Sequence, residues 1–198
     1  MTGHDNPSQA QVGQNGPLVW IDSEMTGLNP DSEEILEVYC FITTANLEIV
    51  DPIGFGAVVH VPTERLTEMD DWCTNTHTTT GLWSQVVAST TTAEEAAASL
   101  LEYIQKWVPE PNTALLAGNS VHADRAFLRK GPWAPVVEHL KYRIMDISTI
   151  KEAALRWSPP EVSQNAPQKV GLHRAKEDIL DSIREAKYYK DVIFSRGK

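Results

Sequence analysis

Residues 18–30 read LVWIDSEMTGLNP. The four apolar or aromatic residues Leu18 to Ile21 are the signature of a buried strand, yet they run straight into Asp22 and Glu24. On a strand, positions i and i+2 face the same side, so the two carboxylates project together, roughly 6–7 Å apart. Anions so placed repel each other and lose hydration. A divalent cation resolves both problems, and hard oxygen ligands select Mg²⁺ or Mn²⁺. A strand end open to solvent, or a neighbouring arginine, would resolve them too.

Further β-rich runs follow at 34–44 (EILEVYCFITT) and around 47–60 (LEIVDPIGFGAVVH), with short separators that suggest antiparallel pairing. Helical periodicity then takes over. AEEAAASLLEYIQKWV, 93–108, reads as a helix with Thr92 as N-cap and Pro109 as its stop. ALLAG (114–118) is a short strand, VHADRAFLRK (121–130) a helix and RIMDI (143–147) another strand. STIKEAALRW (148–157) reads as a helix capped by Ser148, and WSPPEVSQNAPQK as a loop. KEDILDSIREAKYYKDVIF is a terminal amphipathic helix with Ile179, Ile183 and Ala186 on one stripe. The order predicts an α/β fold of one domain, with three antiparallel strands first and alternating helices and strands after them.

The 198 residues carry a net charge of -10 and no Lys/Arg cluster, which argues against a grip on long nucleic acid through its phosphates. A nucleic-acid substrate would have to be short and pocketed, with metal supplying positive charge. No run of about 18 apolar residues suggests a membrane span. The first 17 residues, polar and without arginine, match neither a secretory signal nor a mitochondrial presequence and read as a disordered tail ahead of one domain, 18–198. Cys40 and Cys73 read as reduced, partly buried thiols of an intracellular protein.

Two more stretches hold acids. Asp124 in AGNSVHADRAFL precedes Phe127 and Leu128 by three and four residues, so it shares the inward helix face and needs a partner; stabilisation of the helix N-terminus is the alternative. In GLHRAKEDILDSI, His173 and Asp178 would lie about 140° apart within one helix. With His173 in the loop before the helix and Asp178 in its second turn, both reach one site; otherwise His173 is a surface or capping histidine. Glu37, among apolar neighbours, could brace such a site. Asp146 reads as a structural acid bonding the Ser148 or Thr149 amides. Asp22, Glu24, Asp124 and Asp178 with His173 supply what a two-metal phosphoryl displacement requires.

Read as an ordered set, D-x-E-M-T-G-L at Asp22–Leu28, G-N-S-x-x-x-D at Gly118–Asp124, Y-R-x-x-D-x-S-T at Tyr142–Thr149 and H-R-A-x-x-D at His173–Asp178 resemble the oligoribonuclease family of DEDDh 3′-to-5′ exonucleases. The likeness runs from about Leu18 to Phe194. It implies a ribonuclease H-like fold whose later strands are parallel. It also implies two Mg²⁺ or Mn²⁺ ions on Asp22, Glu24, Asp124 and Asp178, with His173 as general base. The implied reaction releases nucleoside 5′-monophosphates from very short RNA, dinucleotides especially, in a homodimer. Leu28 and Trp72 match residues that wedge against the two bases, although Trp72 could equally be a core residue. His77, Ser120, Arg143 and Ser148 match a cap for the 5′ phosphate, and Tyr142 a residue reaching the site from the other subunit. Such an enzyme would need neither a membrane nor long duplex DNA, and would work in the cytoplasm or in mitochondria.

Overall fold

A computed structural model of the chain describes residues 15–168, 171 and 173–195. The expected tail, residues 1–17, falls almost wholly outside the described residues. Strands β1 (Leu18–Met25), β2 (Ile35–Thr43), β3 (Phe55–Val58), β4 (Leu115–Gly118) and β5 (Ile144–Asp146) form one sheet in the order β3-β2-β1-β4-β5. β1 and β2 pair antiparallel, as do β2 and β3, while β1 with β4 and β4 with β5 are parallel. This is the expected mixed sheet. The run at 47–60 is shorter as a strand than its composition suggested. Pro52 and Gly54, with Gly54 at φ +74°, interrupt it, and regular pairing starts only at Phe55.

The alternation of β1 decides where the acids go. Val19 and Ile21 pack on one side with Val38, Cys40 and Ile42 of β2. There they meet α4 (Ala93–Trp107), through Ala97, Leu100 and Ile104, and α5 (His122–Leu128), through Phe127 and Leu128. Leu18 and Trp20 face the other way, with Phe41, onto α7 (Ile147–Trp157) and α9 (Ala175–Tyr189). Each large side chain buried this way contributes about 1.5–3 kcal/mol. Trp20 is wholly buried and satisfies its indole N–H on Thr43 Oγ1 at 2.9 Å. By the same period of two, Asp22 and Glu24 lie on the face that α9 covers.

The α4 helix begins as read: Thr92 and Glu95 make a reciprocal capping box. The α7 cap lies two residues earlier than expected. Asp146, not Ser148, is the N-cap, its carboxylate accepting the Ser148 amide at 3.0 Å. The segment expected as a loop after Trp157 contains the short helix α8 (Pro160–Gln164), with proline in its first turn, where no amide partner is needed. The helices α1 (Thr63–Leu66), α2 (Asp71–Thr79) and α3 (Leu82–Ala88) between β3 and α4 had no clear period in the sequence. They close over Leu36, Leu66, Leu82 and Val86 as a third small core. Helix α6 (Ala134–His139) follows a 3-10 turn at Gly131–Trp133, and α9 runs on into a π-helical turn at Lys190–Phe194.

Candidate active site

At the C-terminal end of β1 the sheet offers its α9-facing side to Asp22 and Glu24, and α9 presents Asp178 in its first turn rather than its second. One carboxylate oxygen from each of Asp22, Glu24 and Asp178 lies within 4.8 Å of the others. Asp124 comes from the opposite layer. It is buried early in α5, and its Oδ1 accepts the backbone N–H of Ser23, between the first two acids, at 2.9 Å. That bond ties α5 to β1. Gly118 at the end of β4 allows the close approach: a Cβ there would stand 3.1 Å from the Ile21 carbonyl and from Val121.

Crowding shows in the acidities. Burial pushes the Glu24 carboxyl up to about 8, and the charges of Asp178, Glu37 and Asp124 add to it, while Arg174 opposes. Burial also raises Asp124 well above the ordinary carboxylate range, against its hydrogen bonds from the backbone and from Ser23. Groups that are hard to ionise alone, converging oxygen to oxygen, suit a divalent cation, whose charge restores the ionised forms. The donor set is all carboxylate, which fits hard ions.

His173 stands in the loop before α9, at φ +51° and exposed. Its ring meets Trp72 edge-on, with centroids 5.7 Å apart. Trp72 is 61% exposed, so core packing is not its role. With Glu24, Met25, Leu28, Asp70 and His77 it lines a cleft of about 440 Å³. Leu28, at 88% exposure, projects from the loop after β1. His77 differs from its expected surroundings. It is buried, its Nε2 lies 3.0 Å from the Met25 carbonyl, and burial lowers its pKa. The ring is thereby built into the wall of the cleft.

Of the remaining expected residues, Ser120 and Ser148 meet just past β4 and β5, whereas Tyr142 and Arg143 lie together just before β5. Ser120, at φ +52°, donates its hydroxyl to Ser148 Oγ at 3.1 Å. Arg143 lies over the ring of exposed Tyr142, 4.5 Å from its centroid. Asp146 organises the pair of serines. Its Oδ1 accepts both the Ser120 and Ser148 amides at 3.0 Å, and its Oδ2 lies 3.1 Å from His122 Nδ1. Asn119 accepts from Ser148 Oγ and donates to Ser182 Oγ and Glu185, linking these loops to α9. The Asp146 bond to the Ser148 amide is the one its sequence predicts, whereas its contacts with Ser120 and His122, and the partners of Asn119, are not. No spacing rule announces a side chain whose partners lie 26 and 63 residues away.

An open mixed sheet, with acids converging at the end of its central strand, is the architecture of a known class. The exonuclease family model RNase_T matches residues 19–186. Among solved structures, E. coli exonuclease I in complex with a dA16 oligonucleotide shares the ribonuclease H-like fold. The TM-score is 0.67 at 14% identity, over 91% of this chain and 42% of that one, so this chain spans about two fifths of exonuclease I. The oligoribonuclease of Vibrio campbellii is 42% identical over 177 residues, 89% of this chain and 95% of that protein. Human mitochondrial oligoribonuclease is 41% identical over 180 residues, 90% of this chain and 74% of its own. The chain belongs to the oligoribonuclease family of exonucleases.

Proposed function

We propose that the protein removes nucleotides from the 3′ end of very short RNA, dinucleotides especially, and releases nucleoside 5′-monophosphates. The carrying observation is the convergence of Asp22, Glu24 and Asp178 within 4.8 Å, with Asp124 bonded into the same strand. In this reading the four carboxylates hold two Mg²⁺ or Mn²⁺ ions, which when bound neutralise charge on the attacking and leaving oxygens of the phosphodiester. His173, exposed at the mouth of the cleft, accepts the proton of the attacking water. Leu28 and Trp72, both projecting and apolar, stack on the bases without regard to sequence.

The serine pair Ser120 and Ser148, with Arg143, suits the 5′ phosphate and would end the substrate there. In this reading Tyr142, which is exposed, serves the site of a second copy in a homodimer. Residues 18–198 act as one exonuclease domain. Its sheet and acidic surface need no long duplex, and no described helix is long and apolar enough to cross a membrane. The mitochondrial relatives favour an intracellular setting, cytoplasmic or mitochondrial.

The test compares 5′-labelled RNA dinucleotide and heptamer, first with Mg²⁺ and then with EDTA. Metal-dependent conversion of the dinucleotide to mononucleotide, faster than attack on the heptamer, is expected. Strong activity on the heptamer that stalls at the dinucleotide would remove the roles given to Trp72, Ser120, Arg143 and Ser148.

A further inference from the structure

The backbone of His173 needs an explanation that its own side chain does not supply. A histidine at φ +51° occupies the left-handed region, which residues with a Cβ adopt only when their surroundings over-determine it. The anchoring lies in the next residue. The Arg174 guanidinium grips Glu37 with two parallel bonds, Nη2 to Oε1 at 2.6 Å and Nε to Oε2 at 3.0 Å. Arg174 also donates to Gln85 Oε1 of α3 at 3.0 Å and to the Thr80 carbonyl, just past α2, at 3.4 Å. Glu37 Oε2 accepts, in addition, the amide of Ala175, the first residue of α9, at 3.3 Å. The α9 N-cap, Arg174, has no side-chain capping bond of its own, so Glu37 supplies the anion at that helix N-terminus from a different strand.

These contacts join three parts of the site. Glu37 is the residue of β2 directly opposite the acid Glu24 of β1. The α2 helix, which Arg174 holds at its C-terminal end, includes Trp72 and His77. The segment they anchor carries His173 on one side of Arg174 and Asp178 on the other. A pair that ties β2, the end of α2 and the start of α9 together bears on the distance between base and acids.

We propose that Glu37 and Arg174 form a clamp that positions His173 over the acidic cluster, a role that rests on His173 being the general base. They are positioning residues, without contact to the reacting atoms. Lysine in place of Arg174 keeps the charge but cannot make the parallel bonds. A base displaced by about 1 Å loses on the order of 100-fold in rate while binding persists.

The experiment measures kcat and KM on the RNA dinucleotide, and Mn²⁺ affinity by calorimetry, for Arg174→Gln, Arg174→Lys and Glu37→Gln. Each is made in the wild-type chain and again in His173→Ala. Circular dichroism and thermal melting confirm folding. In the wild-type background kcat should fall roughly 10- to 100-fold for Arg174→Gln. The fall should be smaller for Arg174→Lys, and KM and Mn²⁺ affinity should stay within about twofold. In the His173→Ala background the same substitutions should change kcat by less than about twofold, because there is no base left to misplace.

An equal further loss in the His173→Ala background would overturn the clamp, since the pair would then be acting on Glu24 or on the metal. So would unchanged kcat in all three variants, or a loss of Mn²⁺ affinity matching the loss of kcat. Full activity of His173→Ala by itself would overturn the base assignment instead, and the clamp with it.

Discussion

Glu24 and Glu37 stand directly opposite each other across the β1–β2 ladder, and their surroundings part them. Glu37 has the Arg174 guanidinium at 2.6 Å, whereas the Glu24 carboxyl is driven up to about 8 by burial and by neighbouring acids. A raised carboxyl pKa means that the folded protein binds more protons than the unfolded chain between about 4.5 and 8. Stability from Glu24 is therefore present below about 4.5 and is lost as pH climbs through about 8.

Metal-free protein should accordingly melt at progressively lower temperature across that window, and Mn²⁺ or Mg²⁺ should reverse the trend. At about 100 times its Kd, a bound ion adds about 2.7 kcal/mol, or roughly 5–10 °C for a chain of this size. Glu24→Gln should flatten the slope, leaving the part due to Asp124. Melting curves in EDTA and in Mn²⁺ from pH 5 to pH 9 check this. A melting temperature at pH 8 that ignores the metal would sink the cluster as a cation site.

Asp22 and His173 should separate cleanly in mutation. Replacing the base affects the chemical step most, so His173→Ala is expected to cost kcat about 10²- to 10⁴-fold with metal and dinucleotide still bound. Asp22→Ala removes a ligand and should lower metal affinity as well as rate. Calorimetric titration with Mn²⁺ in parallel with turnover distinguishes them. Equal loss of metal affinity in both variants would contradict the division of roles.

The acids were readable because their chemistry is local. Asp22 and Glu24 announce themselves as charges at the end of an apolar strand, and the strand period alone put them on one face. Asp124 was legible from its spacing to Phe127 and Leu128. What the sequence hid is tertiary. Nothing near His77 reveals that the Met25 carbonyl, 52 residues away, will hold its ring in the interior. The Glu37–Arg174 pair spans 137 residues, and Glu37 reads in the sequence as a brace for the site without its partner being legible. The α7 start was misplaced because Asp146 and Ser148 are both good caps, and the strand end favours the first. The α1–α3 region lacks a period because each helix buries only one to two residues.

Trp72 and Leu28 give a prediction about binding without folding. Both are largely exposed, so truncation to alanine should leave the melting temperature nearly unchanged. Base stacking is worth about 1–3 kcal/mol per base, so Trp72→Ala should raise KM for the dinucleotide roughly 5- to 150-fold. Leu28→Ala should act in the same direction. Steady-state kinetics and melting of the same samples check both. A destabilised Trp72→Ala with unaltered KM would return that residue to a packing role.

Asp146 gives the opposite pattern, because stability and substrate recognition pass through one carboxylate. It caps α7 and holds the Ser120 amide, so Asp146→Ala frees two N–H groups and lets the Ser120 backbone leave its left-handed conformation. Loss of the cap alone should cost about 0.5–2 kcal/mol, or roughly 1–8 °C in melting temperature at this chain length. The serine hydroxyls would no longer be set 3.1 Å apart for one phosphate. The expected consequence is a higher KM for a dinucleotide carrying a 5′ phosphate, with little change for the same dinucleotide ending in a 5′ hydroxyl. Ser148→Ala keeps the Asp146 cap, since the bond uses the backbone amide. It should reproduce the change in KM with little loss of stability. If both variants treat the two dinucleotides alike, the serine pair is not the phosphate site.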